Sequence, residues 1–194
     1  MIIKHEREKL INAAVYFADN TENCGIVKLF KLLYFLDFEH YKQIGRSVTG
    51  LQYYAWKMGP VPEDLYEELP SPEPDLAQKI KVQPIQTRFE NPLLLVVPKA
   101  KFDPTHFSKR ELRLLEQLSS EFYHSTADQM IEATHVPNRP WHRVYVTERK
   151  RRAIIPYDYV LPEEEIKARQ ELEDDEESLG AYDDTGDDLI RYAL

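Results

Sequence analysis

The chain has 194 residues, 42% of them hydrophobic, with 12 Tyr, 8 Phe and a formal net charge of −9. That length suits one domain of ordinary size with an extension, and the aromatic volume is enough to fill a core. The charge is unevenly placed: residues 163–194 hold 13 acidic against three basic side chains, a net of −10, which leaves residues 1–162 at +1 and argues against a body built to bind polyanions.

Cys24 is the only cysteine, so there is no internal disulfide and no thiolate metal centre, as suits a reducing cytoplasm. The first ten residues carry Lys4, Glu6, Arg7, Glu8 and Lys9 and lack the apolar core of a signal peptide. The apolar run Leu93 to Val97 is far too short to span a bilayer. The expectation is a soluble cytoplasmic protein with no membrane partner.

Ile3, Leu10, Ile11, Ala14, Phe17 and Ala18 fall on one face of a helix from about His5 to Ala18, and Asn20 to Asn23 break it. A second helix runs from about Gly25 to Ile44. Its apolar residues Leu29, Phe30, Leu33, Tyr34, Phe38 and Tyr41 are widened almost to a full circle by Leu32, Phe35 and Leu36, and a helix apolar on most sides belongs inside a domain. Gly45 stops it, being free to take the left-handed conformation common just past helix ends. From Gly45 to Pro62 the chain reads as loop, short strand and turn, with Pro60 and Pro62 unable to continue a sheet ladder.

A short helix follows from Glu63 to Leu69, its Glu63 and Asp64 placed where the helix dipole favours negative charge. Pro70, Pro72 and Pro74 read as a stiff exposed linker. Lys79 to Phe89 and Leu93 to Val97 read as strands that pair with Tyr53 to Lys57 in one small antiparallel sheet. Ser108 and Glu111 make a capping box, ahead of a helix buried through Leu112, Leu115, Leu118 and Phe122. Another helix runs from Ser125 or Thr126 to about Thr134, and Trp141 to Val146 forms a last short helical segment. Pro162 opens a helix to about Leu172, and the remaining acidic residues lack the apolar content to fold without a partner. The expected fold is mainly α with a small antiparallel β-sheet, a globular domain over 1–160 and an acidic extension over 161–194.

Catalytic signatures are missing. Four glycines precede residue 163 and none cluster into a phosphate loop, and neither a nucleophile elbow nor a His-Glu-x-x-His helix occurs. His135 and His142 have no carboxylate or cysteine at a metal spacing. Tyr34, Asp37 and His40 stand three residues apart on one ridge of the second helix. They can be an acid-base pair or buried groups bonding tyrosine hydroxyls and loop N–H groups, and the second reading is the one adopted. Arg149, Arg151 and Arg152 lie in the single basic cluster, which reads as a solvated face. The acidic tail can be a solubilising appendage, a cover for a basic surface on a partner, or a handle for a protease.

Lys28-Leu29, Lys31-Leu32-Leu33-Tyr34, Asp37, His40, Gly45, Thr49-Gly50, Tyr53-x-Ala55, Gly59-Pro60-Val61-Pro62 and Tyr66, with His135 and Pro140-Trp141 ahead of Tyr145, resemble the signature of the Panacea domain. This is a phage-associated family found in many bacterial antitoxins, and the resemblance runs from about Leu10 to Val146. It implies a mostly helical domain that neutralises a cognate toxin by direct binding and has no enzymatic activity of its own; no cofactor or metal is expected. Lys31, Tyr34, Asp37, His40, Gly50, Tyr53, Gly59, Pro60 and Pro62 are then the structural motif. Because the domain serves unrelated toxins, the partner's identity is expected outside that motif. Trp56, Glu63, Asp64 and Tyr66, the basic Arg149, Arg151 and Arg152, and the tail residues Glu173, Asp174, Asp175, Tyr182 and Tyr192 are the candidate toxin-binding groups. The chain departs from the family pattern in its long acidic tail and in the bulky Leu36. The implied partner is a protein toxin encoded by the adjacent gene; the alternatives are an adaptor for a cytoplasmic protease and a DNA-binding autoregulator.

Overall fold

The computed structural model describes residues 5–86 and 92–167. Contacts divide the chain after Val160. In the first part the order is α1 (Glu6–Asn20), α2 (Ile26–Ile44), β1 (Tyr54–Trp56), β2 (Gly59–Val61), α3 (Glu63–Glu68), α4 (Pro74–Lys79), β3 (Ile80–Ile85), β4 (Leu93–Pro98), α5 (Lys109–Glu121), α6 (Ala127–Thr134) and α7 (Pro140–His142). A π-helical turn, Arg143–Thr147, and a 3₁₀ turn, Tyr157–Val160, complete it. The chain is mainly helical, with two small antiparallel sheets.

The second helix is the axis of this first part. Leu29, Leu32, Leu33 and Leu36 are fully buried, and α2 packs on α1, α5, α6, β2 and β4, so most of its apolar surface is covered, Val27 in the first turn staying exposed. Gly45 ends it at φ 71° with its N–H on the Tyr41 carbonyl, 2.7 Å away. The bulky Leu36 fits with no exposure. Arg7 of α1 forks onto Glu68 (2.6 and 2.7 Å) and Asp75 (2.8 and 3.0 Å), binding α3 and α4 to the first helix. The guanidinium holds the Asp75 carboxyl down at about 2, because hydrogen bonds from a cation favour the charged carboxylate.

Two expectations about the strands fail. There are two two-stranded sheets rather than one, because the free edge of β1 is taken by residues 152–155: Ala55 N–H bonds the Ala153 carbonyl at 2.9 Å, Arg152 N–H the Ala55 carbonyl at 2.8 Å, and Ile155 N–H the Tyr53 carbonyl at 2.8 Å. The sequence carries no strand signal there, and long-range backbone pairing decides it. Pro60 lies inside β2 opposite Ala55. Since Ala55 turns its own N–H and C=O the other way, that pair exchanges no ladder bonds and the missing proline N–H leaves nothing unpaired.

The expected proline linker is also corrected: Pro74 opens α4 at a first-turn position and Leu76 is fully buried, since the first helical N–H has no partner to lose. On α5 the capping box forms as expected, but the buried face is Leu114, Leu115 and Leu118, with Leu112 and Phe122 only partly covered. In the second part residues 163–167 are helical, with the Ile166 N–H on the Pro162 carbonyl at 3.1 Å. No helix among the described residues is long and apolar enough to cross a membrane.

Candidate functional site

Asp37 stands in the middle of α2 with no solvent exposure. Its Oδ1 accepts the backbone N–H groups of Val48 and Thr49, each at 2.8 Å, and its Oδ2 accepts the hydroxyls of Thr49 (2.5 Å) and Tyr53 (2.7 Å). Burial pushes the carboxyl up to about 6 against the pull of these donors, and it drives the Tyr53 hydroxyl well above its usual value. One turn on, His40 donates Nδ1–H to the Arg46 carbonyl at 2.7 Å, and burial lowers its pKa. The two side chains therefore fold the 46–53 loop back onto the helix that precedes it. Gly50 crosses α1 at φ 72°, where a Cβ would lie 2.7 Å from the Glu6 carboxylate.

One turn before Tyr34, Lys31 is 1% exposed. Its ammonium donates to the Pro60 carbonyl at 2.7 Å, and burial brings its pKa down to about 7. Gly59 sits over it at φ 97°, and a Cβ there would fall 2.8 Å from Lys31 Nζ and 2.7 Å from Thr134 Oγ1. Tyr34 packs edge-on against Tyr53 at 5.5 Å, and burial raises its hydroxyl pKa. Pro62 follows the hairpin and stands at the N-cap position of α3. Lys31, Asp37 and His40 are buried and bond the chain's own backbone, an arrangement that shapes a loop and a hairpin.

The hairpin supports the exposed face. Trp141 donates Nε1–H to the Trp56 carbonyl at 2.9 Å and is stacked between His135 (3.8 Å) and Tyr145 (4.8 Å). On the outer side Trp56 donates its indole N–H to Glu63 at 2.6 Å, meets Tyr66 edge-on at 5.1 Å and carries the Arg152 guanidinium over its ring at 4.4 Å. Arg152 reaches that position from a turn in which it and Arg149 both adopt φ 57°. Tyr66 is 48% exposed, and Met58, at the hairpin tip, 53% exposed.

The basic residues 149–152 are all solvent-exposed, as expected, and within them Arg152 lies on Trp56 and Arg151 stands 5.9 Å from the Tyr145 ring. Arg149 and Asp64 are exposed. Of the sequence candidates, Trp56, Glu63, Tyr66 and Arg152 come together, whereas Glu173, Asp174, Asp175, Tyr182 and Tyr192 lie outside the described residues. Met58 was missed by sequence reasoning, since a lone methionine beside a glycine carries no signal. His135 and His142 gain no third His, Cys, Asp or Glu ligand among the described residues. Their Nε2 and Nδ1 atoms are buried without a hydrogen-bond partner.

The chain is thus a helical domain built on one apolar helix, with an inward polar ridge beneath an aromatic hairpin. The family model described as "Antitoxin SocA-like, Panacea domain" matches residues 29–142. The chain belongs to that family. A search of curated proteins and one of solved structures found no match. At the level the family defines, the role is of the antitoxin type and the general partner is a toxin.

Proposed function

We propose that this chain neutralises a protein toxin, encoded by the adjacent gene, by binding it directly through the face made by Trp56, Met58, Tyr66 and Arg152. The observation that carries the reading is the convergence of the half-exposed Tyr66 phenol of α3 and the Arg152 guanidinium of a distant turn on the Trp56 indole of the hairpin. Protein interfaces draw most of their energy from a few Trp, Tyr and Arg anchors. The anchors here are held before any partner arrives: Trp56 is fixed from below by Trp141 and from the side by Glu63, so little ordering entropy remains to be lost on binding. Asp64, Arg149 and Arg151 supply charge at the rim, where it governs encounter and partner choice more than affinity.

The test is growth of cells expressing the adjacent gene product with and without this chain. The full chain restores growth and co-purifies with its partner. Trp56→Ala combined with Tyr66→Ala abolishes both while the domain still melts cooperatively. A folded double variant that rescues as well as the parent overturns the assignment of this face.

A further inference from the structure

Away from the aromatic face, three metal-ligating side chains meet where α1 begins. His5 stands just before α1 and Glu8 in its first turn; His106 arrives from the loop before α5. One potential ligand atom from each lies within 4.8 Å of the other two. The His5 and His106 rings stack at 4.2 Å with 20° between their planes, and His5 Nδ1 is 3.4 Å from Glu8 Oε1.

The position of His5 is not explained by helix capping: it precedes α1 at φ 51° and its side chain bonds no helix N–H. The two ligand-bearing segments are also held in register from beneath. Asn12, 6% exposed, donates Nδ2–H to the Glu8 carbonyl at 3.0 Å and accepts the Asp103 N–H at 3.0 Å. The loop is stiffened by Thr105 N–H on Asp103 Oδ1 at 3.0 Å and by Phe107 N–H on the Pro104 carbonyl at 2.9 Å.

We propose that His5, Glu8 and His106 bind a divalent transition-metal ion of the zinc class, which clips the start of α1 to the loop before α5. Two imidazole nitrogens and one carboxylate oxygen are a donor set suited to zinc and its neighbours, with solvent completing the coordination. Calcium and magnesium prefer oxygen ligands alone. Metal–ligand bonds of about 2.0–2.2 Å bring ligand atoms to roughly 3.3 Å from one another, a contraction that side-chain rotation supplies while Asn12 keeps the backbones in place. The ion then adds stability by mass action.

The experiment titrates the full-length, tag-free chain with zinc chloride near neutral pH, by calorimetry and by thermal melting. The expected result is about one zinc per chain and a melting temperature that rises with zinc. His106→Ala and Glu8→Gln should each weaken binding by at least about tenfold and remove the zinc-dependent rise. Glu8 is an exposed side chain, so the isosteric Glu8→Gln carries the test if His106→Ala melts lower without metal. His124→Ala, which removes the exposed His124–Glu22 pair, should leave binding unchanged. No zinc uptake by the parent chain, or uptake that survives Glu8→Gln undiminished, overturns the proposal.

Discussion

Asp37 and Lys31 are two charged side chains within two turns of one buried helix, and their surroundings assign them opposite roles. Asp37 faces only donors: two backbone N–H groups and two hydroxyls. Asn at this position presents an N–H₂ to one of those donors and leaves a buried group unpaired, so Asp37→Asn should cost about 1–3 kcal/mol of folding stability, read by urea denaturation. A variant of parental stability overturns the structural role.

Lys31 donates to the Pro60 carbonyl, and burial holds its pKa at about 7 against 10.5 for a lysine in water. Between those values the unfolded chain binds a proton that the folded chain releases, so stability rises with pH from about 7 towards 10.5. Below 7 both states are protonated and the folded state carries the full penalty of a buried charge. Lys31→Met removes that dependence. The difference in melting temperature between parent and variant should climb in the parent's favour from pH 7 to about 9.5, before the tyrosines titrate; a flat difference counts against it.

At the level of elements, periodicity and caps were legible while strand partners were not. The all-round apolar pattern of α2 reads directly as a central helix, and its leucines make a further prediction: Leu33→Ala, fully buried, should cost about 2–5 kcal/mol through lost burial and a residual cavity, measured by the same denaturation. The box of Ser108 and Glu111 was readable because a cap is a contact between residues three apart. Ser108→Ala should cost about 1 kcal/mol, and an unchanged midpoint would show that the Lys9–Glu111 contact at 2.6 Å holds the helix start without the cap. The partner of β1 was illegible for the opposite reason: residues 152–155 lie nearly a hundred positions away, and nothing local marks them as an edge. Pro74 misled in the same way, since a proline closes a linker or opens a helix according to whether Leu76 finds a core to enter.

At the scale of the whole molecule the proposal divides into a domain that folds itself and a surface that meets a partner. A version ending at Leu161, expressed beside the toxic neighbour, separates the aromatic face from the acidic extension. Rescue equal to that of the full chain is the expected outcome, because Trp56, Met58, Tyr66 and Arg152 all precede residue 162; loss of rescue moves recognition to residues 162–194. The sequence by itself determined the helical class, the central helix, the inward ridge of Tyr34, Asp37 and His40, and the family, because each rests on periodicity or on short spacings that local geometry enforces. Only the tertiary structure decided which side chains form the exposed face and that His106 meets His5 and Glu8. Those groups come from segments far apart in the chain, and long-range packing alone brings them within a few ångströms.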